Sequence, residues 1–256
     1  MPFSNALIAL TGVGREGQVG EVVAQAFADR GAELALLDVN ADGVRARAAA
    51  IVARGGRARA YPCDLTDADA VRRVAEEIAA TAAADGGRGV RALVNLAGGF
   101  AMSGPVADSD VAVLHRQIAI NLTTAYCATR AFLPALRAGA AGDGALTRGD
   151  ASIVFFASAA ALPGASIASM SAYAAAKSGV LALMRAVAEE ERDHGVRANA
   201  LAPTAIRTGD NLRAMGADAG DGGGVRYVER ESVADAVLFL CSPEARNVTG
   251  QVLKLE

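Results

Sequence analysis

The sequence predicts an α/β protein with one doubly wound parallel sheet of about seven strands and helices on both faces. Short apolar segments alternate along the chain with longer segments whose apolar residues recur at helical spacing. The short segments are uniformly apolar, as is typical of parallel strands that are buried on both faces. No linker rich in proline, serine or charge divides residues 1–256, which predicts a single domain.

The first unit is a strand over residues 6–10, a glycine-rich turn, and a helix over residues 19–30. Gly31 ends this helix, and residues 34–37 form the second strand. The alternation then continues to the end of the chain. The other predicted strands are 58–61, 92–96, 153–156, 196–201 and 251–255, and the other predicted helices are 41–54, 67–84, 109–136, 172–191 and 232–240.

Two glycine-containing stretches without apolar periodicity are predicted to be loops. Residues 138–150 are expected to form an extended surface loop. Residues 209–224 form a glycine-rich region that is either flexible surface or a lid over a ligand, at the place expected for a substrate loop.

The composition argues against several classes of partner. The chain has 25 basic and 28 acidic residues, and its arginines are scattered, so we expect neither a nucleic acid nor a membrane surface as a partner. The three cysteines and two histidines are far apart, which favours a reducing compartment and predicts no metal site. The N-terminus has no basic stretch before a long apolar run, so a cytoplasmic location is expected.

The glycine-rich turn, TGVGREGQVG at residues 11–20, joins the first strand to the first helix. Glycines in such a turn let a pyrophosphate approach backbone N–H groups at a helix N-terminus, where the helix dipole favours negative charge. The candidate dinucleotide ligands in this segment are Gly12, Gly14, Arg15, Gly17, Val19 and Gly20.

Asp38 ends the second predicted strand, 18 residues after Gly20. A carboxylate there can accept both ribose hydroxyls of an adenosine and would repel a 2′-phosphate, which favours NAD over NADP. Arg15 argues for NADP, because an arginine in this turn could bind the 2′-phosphate. Asp64, after the third strand, either meets the adenine or caps the next helix.

Tyr173 and Lys177 are four residues apart in a predicted helix and therefore share one of its faces. The lysine cation is expected to lower the pKa of the phenol from about 10 towards neutrality, as a general acid/base for alcohols or ketones requires. The chain has only two lysines, so chance is a poor explanation of this spacing. Ser158, at the end of the fifth strand, could donate to a substrate oxygen beside Tyr173, although Ser166, Ser169 and Ser171 compete for this role.

Together these segments resemble the short-chain dehydrogenase/reductase family over nearly the whole chain. The glycine-rich turn, Asn95-Leu96-Ala97-Gly98, Asn121, Ser158, and Tyr173 with Lys177 occur in the family's order. The resemblance implies a Rossmann fold that binds NAD(P). It also implies dinucleotide contacts from Leu65, Asn95, Ala97, Gly98, Tyr173, Lys177, Pro203, Ile206 and Thr208.

The resemblance further implies a catalytic tetrad. Tyr173 would be the acid/base, and Ser158 would polarise the substrate oxygen. Lys177 would hold the nicotinamide ribose, and Asn121 would position a water in a proton relay. The chain departs from the family at Glu16, which lengthens the glycine-rich turn by one residue, and at Thr204, which replaces a glycine. Ser158 also precedes Tyr173 by 15 positions where about 13 are usual, so the intervening segment must bulge.

The leading hypothesis is an oxidoreductase that transfers hydride between NAD(H) and a secondary alcohol or ketone. One alternative is an NADPH-dependent ketone reductase of the 3-oxoacyl type, with Arg15 deciding the cofactor. Another is a non-catalytic dinucleotide-binding protein with a role in sensing or assembly. The helix predicted at 109–136 is apolar on more than one side, and the family's matching helices form a dimer interface, so a homodimer or homotetramer is expected.

Overall fold

The computed structural model of the chain describes residues 3–4, 6–84, 89–141, 151–214 and 227–256. Its strands are β1 (Leu7–Thr11), β2 (Glu33–Asp38), β3 (Arg57–Pro62), β4 (Val90–Asn95), β5 (Ala151–Phe156), β6 (Val196–Pro203), β7 (Ala205–Ile206), β8 (Tyr227–Val228) and β9 (Val252–Leu255). Its α-helices are α1 (Val19–Ala28), α2 (Ala41–Ala53), α3 (Ala68–Ala84), α4 (Val111–Gln117), α5 (Thr124–Ala140), α6 (Ser171–Glu190), α7 (Gly209–Ala214) and α8 (Arg230–Cys241).

Seven strands form one parallel sheet in the order β3-β2-β1-β4-β5-β6-β9. The chain winds outwards from β1 to β3 and then returns to place β4 on the other side of β1. This reversal opens a crevice at the carboxyl ends of β1 and β4, where open α/β sheets bind ligands. The sheet confirms the predicted fold class and gives the place where functional residues should meet.

The uniformly apolar strands are explained by two cores, one on each face of the sheet. In β1, Leu7 and Ala9 belong to the core packed against α3, α5 and α6, whereas Ile8 and Leu10 belong to the core packed against α1, α2 and α8. Successive strand residues point to opposite faces, so both sets must be apolar when both faces are covered. Only the sheet edges depart from this pattern, and β3 alternates between exposed and half-buried residues.

The helix predicted over residues 109–136 is confirmed as a continuous helical segment that begins at Val111, but it contains a π-helical turn that the sequence did not predict. The structure has α4, a π-helical turn over Ile118–Thr123, and then α5, which extends to Ala140. Asn121 lies in the π turn, and its side chain bonds to Gly99 outside the helix. A π turn inserts an extra residue into the helix and is frequent at functional sites.

The two predicted loops are partly helical where the structure describes them. Residues 138–140 complete α5, and residues 209–214 form α7; the remainder of each predicted loop, residues 142–150 and 215–224, lies outside the described residues. Before α7, β7 pairs in parallel with β8 as a separate two-stranded sheet that the sequence analysis missed. No helix among the described ranges is long and apolar enough to span a bilayer.

Candidate active site

A cavity of about 530 Å³ opens at the carboxyl ends of the central strands. Its walls come from the segments that follow β1, β4, β5 and β6, together with α4 and the first turns of α6. A second cavity of about 200 Å³ lies beside the end of β2 and shares Gly12, Arg15, Leu96 and Gly98 with the first. The two cavities form one elongated cleft across the crevice of the sheet.

Tyr173 and Ser158 both line this cleft, and Ser158 is close enough to the phenol to act on its pKa. The Ser158 hydroxyl also accepts the N–H of Ala160, 3.2 Å away, at the start of a 3-10 turn over Ala159–Ala161. This turn begins the longer connection to α6, so the additional residues do not separate Ser158 from Tyr173.

The three competing serines lie elsewhere. Ser166 is exposed, and the Ser171 hydroxyl lies 3.2 Å from that of Ser103. Ser169 accepts the N–H of Ser103 through its carbonyl and holds a left-handed backbone with φ of 61°. None of the three lines the cleft, so Ser158 is the serine beside Tyr173.

The predicted lowering of the Tyr173 pKa is not found. Burial of the phenol raises its pKa, and the hydrogen bond with Ser158 acts in the opposite direction without outweighing burial. The Phe100 ring adds to this apolar cover, packing edge-to-face on Tyr173 with 5.1 Å between ring centroids. The Lys177 ammonium lies over the Tyr173 ring, 5.9 Å from its centre, at the outer limit of a cation–π contact.

Lys177 is buried beneath Tyr173, with 5% of its surface exposed. Its Nζ donates to the carbonyl oxygen of Phe156, the last residue of β5, at 2.7 Å. Burial lowers the pKa of this lysine from 10.5 to about 8, because an ammonium loses hydration that a single carbonyl does not replace. The i and i+4 positions on α6 are therefore brought together as predicted, and both side chains reach the cleft.

Asn121 is buried one layer behind the cleft. Its amide nitrogen donates to the carbonyl oxygen of Gly99 at 3.0 Å and to the side chain of Gln117 at 3.1 Å, and its amide oxygen accepts the N–H of Gly99 at 3.2 Å. A Cβ on Gly98 would lie 2.5 Å from the Asn121 oxygen and 3.4 Å from Nζ of Lys177. Gly98 is therefore required where the polar groups of α6 and the π turn approach the end of β4.

One face of α4 completes the wall beside Tyr173. Val113, Arg116, Gln117 and Ile120 are spaced three and four residues apart and all line the cavity. The sequence analysis did not single out these residues, although their helical spacing was visible. The face places an arginine and a glutamine beside the apolar residues Phe100 and Met102 of the same cavity.

The glycine-rich turn is held close to the ends of β2 and β4. A Cβ on Gly12 would lie 2.6 Å from the backbone of Ala97, and one on Gly20 would lie 2.5 Å from the carbonyl oxygen of Gly12. Gly12, Arg15, Val19 and Gly20 line the main cavity. Gly14 and Arg15 line a third cavity, behind the turn, whereas Gly17 lines none of the three and donates to Glu21.

Asp38 fixes the turn as well as facing the second cavity. Its carboxylate accepts the N–H of Gly14 at 2.7 Å and that of Asn40 at 2.8 Å. The Asn40 side chain caps α2 through Gly43 and donates to the carbonyl oxygen of Gly14. These bonds tie Gly14 to the end of β2, so the turn that Glu16 lengthens by one residue leaves Asp38 at the cleft.

The other predicted cofactor residues divide into those at the cleft and one away from it. Asp64, Leu65 and Ala97 line the second cavity. Hydrogen bonds from the hydroxyl and N–H of Thr66 lower the pKa of Asp64, and the cap of α3 is supplied by Asp67 instead. Asn95 is buried and donates to the Thr129 hydroxyl, so it stabilises the end of β4 without lining the cleft.

The segment after β6 forms the wall opposite the glycine-rich turn. Pro203, Thr204, Ile206 and Thr208 line the main cavity there. The Thr208 hydroxyl accepts the N–H of Asn211 at the start of α7. The Thr204 hydroxyl oxygen is buried and has no hydrogen-bond partner within the described ranges, so a polar group in the cavity could satisfy it.

The sequence analysis also missed Asp210, the second residue of α7. It lines the main cavity and forms an ion pair with Arg15 across 195 residues of chain. No local pattern could have revealed a pair at that separation. Gln18, Leu96 and Phe100 line the cleft as well, and each is a neighbour of a predicted motif.

Comparison with known proteins identifies the family of the chain. A family profile described as enoyl-(acyl carrier protein) reductase matches residues 12–256. The chain is 34% identical to 2-(S)-hydroxypropyl-CoM dehydrogenase 3 of Xanthobacter autotrophicus, over 99% of this chain and 96% of that protein. It is 31% identical to D-threitol dehydrogenase of Mycolicibacterium smegmatis, over 95% of this chain and 89% of that protein.

Solved structures give the same result. A short-chain type dehydrogenase/reductase from Mycobacterium ulcerans superimposes with a TM-score of 0.83 at 27% identity, covering 99% of this chain and 89% of that one. A structure from Beutenbergia cavernae that holds NADP at low occupancy has a TM-score of 0.81 at 34% identity, covering 99% and 97%. The chain belongs to the short-chain dehydrogenase/reductase family of oxidoreductases.

Proposed function

We propose that this protein is an NAD(H)-dependent oxidoreductase that interconverts a secondary alcohol and a ketone. One observation carries the proposal: Tyr173, Ser158 and Lys177 line one cleft, with Nζ of Lys177 over the Tyr173 ring, and the cleft continues to the carboxylate of Asp38. An acid/base, a hydroxyl donor and a site for a nucleoside therefore share one crevice.

The cleft fits a nicotinamide dinucleotide along its length. The Asp38 carboxylate can accept ribose hydroxyls, and the N-terminus of α1 favours a pyrophosphate. Lys177 can donate to the second ribose, and the unpaired Thr204 hydroxyl, with Ile206 and Thr208, can meet the carboxamide. When bound, NAD(H) supplies the hydride acceptor or donor.

The chain itself handles the proton. In alcohol oxidation the Tyr173 phenolate takes the hydroxyl proton of the substrate, and in ketone reduction the phenol returns it. Ser158 donates to the same substrate oxygen and thereby stabilises the negative charge that develops there. We infer that Asn121 acts through its position, because its side chain ties the π turn to Gly99 beside Lys177.

Two alternatives remain, and the structure bears on each. Arg15 lines both parts of the cleft, and the Beutenbergia cavernae structure holds NADP; both observations support NADP(H) as the cofactor of the first alternative, the ketone reductase of the 3-oxoacyl type. A non-catalytic dinucleotide-binding protein has less support, because the unusual Ser158 spacing that motivated it leaves Ser158 in the same cleft as Tyr173. We retain a homodimer or homotetramer as part of the proposal, because Val111 and Tyr126 expose apolar surface on α4 and α5. The proposal also keeps the cytoplasmic location.

The test has two parts. Thermal unfolding with NAD or NADP identifies the dinucleotide that stabilises the chain, and a panel of alcohols and ketones is then followed at the nicotinamide absorbance. Tyr173→Phe should reduce turnover by about 10²–10⁴-fold and leave dinucleotide binding intact, because it removes only the proton carrier. The exposed Tyr126→Phe is the matched control. Full activity of Tyr173→Phe would refute the proposed role, and binding without turnover on a broad panel would favour the non-catalytic alternative.

A further inference from the structure

We propose that Asp210 determines the choice between the two nicotinamide dinucleotides by occupying Arg15. The ion pair joins the glycine-rich turn to the second residue of α7. Both residues line the main cavity and also the third cavity behind the turn. The inference rests on the proposed dinucleotide-binding function. It assigns a role in that function to Asp210, which lies far along the sequence from the residues at the adenosine site.

Arg15 is the one cation that could neutralise a 2′-phosphate in the part of the cleft next to Asp38. Among the residues that line the second cavity it is the only basic one, and it shares that cavity with the carboxylates of Asp38 and Asp64. A phosphate brings close to two negative charges, and its binding depends on charge-assisted hydrogen bonds from a guanidinium.

Asp210 competes for that guanidinium. An Arg15 engaged by a carboxylate forms a pair with no net charge and has fewer N–H groups to offer a phosphate. The nearby Arg47 does not replace it, because Arg47 lines the third cavity and not the second, and its Nη1 donates to Glu21 at 2.7 Å. With Asp210 in place, the adenosine end of the cleft is therefore negative, which favours a ribose with two free hydroxyls.

The expected effect is moderate, because the pair is open to solvent. Side-chain exposure is 62% for Arg15 and 30% for Asp210, and ion pairs of this kind are worth little in water. We expect that releasing Arg15 tightens NADP binding about five-fold, which corresponds to about 1 kcal/mol. NAD has no 2′-phosphate, so its affinity should change less than about two-fold.

Titration calorimetry of the full chain with NAD and with NADP tests this inference. Asp210→Asn keeps the size of the side chain and removes its charge. The control Asp42→Asn removes a charge from a fully exposed carboxylate at the start of α2, where it pairs with Arg45 and not with Arg15. Arg15→Ala and the double variant complete a cycle that isolates the Arg15–Asp210 interaction.

The expected result is tighter NADP binding by Asp210→Asn in the wild-type background and no tightening in the Arg15→Ala background. Any of three results overturns the inference: an NADP affinity that Asp210→Asn does not change, equal tightening with and without Arg15, or the same tightening from Asp42→Asn. In each case, NAD binding by the wild-type chain still supports the proposed function. Tighter wild-type binding of NADP than of NAD also overturns the inference. A wild-type chain that binds neither dinucleotide overturns the proposed function and this inference together.

Discussion

Replacing Lys177 by methionine should stabilise the folded protein near neutral pH, although the lysine belongs to the proposed catalytic group. The ammonium is buried, and its one hydrogen bond in the described structure goes to the Phe156 carbonyl oxygen. A methionine side chain of similar length would fill the same space without a charge that needs hydration. Natural sites of catalysis commonly sacrifice stability in this way.

The size of the effect follows from the lysine pKa. Burial displaces it from 10.5 to about 8, and each pH unit is worth about 1.4 kcal/mol, so the charged form costs about 3 kcal/mol in the folded state. Loss of the donor to the Phe156 carbonyl oxygen costs about 1 kcal/mol in the variant. The net gain at pH 7 should be about 2 kcal/mol, which raises the melting temperature by about 4–8 °C for a chain of this size.

The pH dependence has a definite sign. Between about pH 8 and 10.5 the unfolded lysine holds its proton and the folded lysine has lost it, so the wild-type chain gains stability as the pH rises. The advantage of Lys177→Met is therefore complete below about pH 8 and disappears by about pH 10.5. A group whose pKa were raised on folding would give the opposite trend.

Thermal unfolding of both proteins without dinucleotide, at several pH values from 7 to 10.5, measures this difference. The matched control is Lys254→Met, because Lys254 is the other lysine of the chain and its side chain is 48% exposed beside Glu256. The control should not show the same pH-dependent gain. A lower melting temperature for Lys177→Met at pH 7, or a gain that persists unchanged at pH 10.5, would refute the argument that desolvation dominates at this site.

Two further predictions concern Ser158 and Arg137. Ser158→Ala removes an interaction that lowers the Tyr173 pKa. In alcohol oxidation the rise of kcat/KM with pH should therefore move to higher pH. A rise at the same pH or at lower pH would contradict this role of Ser158. Arg137→Ala should destabilise the fold by about 2 kcal/mol in urea unfolding, because it leaves the buried Glu191 carboxylate without its two bonds from Arg137 of 2.6 and 2.7 Å. This loss of stability is smaller than for a fully buried pair because Arg137 is 44% exposed. The control for Arg137→Ala is Arg72→Ala, which breaks only exposed ion pairs and should change stability little.

The fold and the local parts of the site were predictable because their causes are local. Uniformly apolar strands between amphipathic helices require a sheet covered on both faces, and the two cores beside β1 confirm this requirement. The i and i+4 spacing of Tyr173 and Lys177 needs only a helix. Asp38 was found because it ends a strand, and the carboxyl ends of parallel strands share one edge of the sheet.

Features that depend on three-dimensional packing were not predictable. The π turn at Asn121 follows from bonds to Gly99, a residue 22 positions earlier that only the fold brings close. The prediction that the Tyr173 pKa is lowered was wrong for the same reason. Helical spacing indicates a nearby cation, but burial of the phenol and of Lys177 is set by Phe100 and by the end of β5.

The raised pKa of Tyr173 bears on the proton transfer proposed for this site. The half-buried phenol of Tyr173, with a raised pKa, and the buried ammonium of Lys177, with a pKa lowered to about 8, both resist their charged forms in the structure. Any positive charge placed in the cleft would oppose the Lys177 ammonium and favour the Tyr173 phenolate, and any negative charge would do the reverse. The pKa of Tyr173 should therefore depend on the charge of the molecule bound in the cleft. When that molecule is cationic, the apparent pKa of Tyr173 in turnover should be lower than the pKa measured for the protein alone.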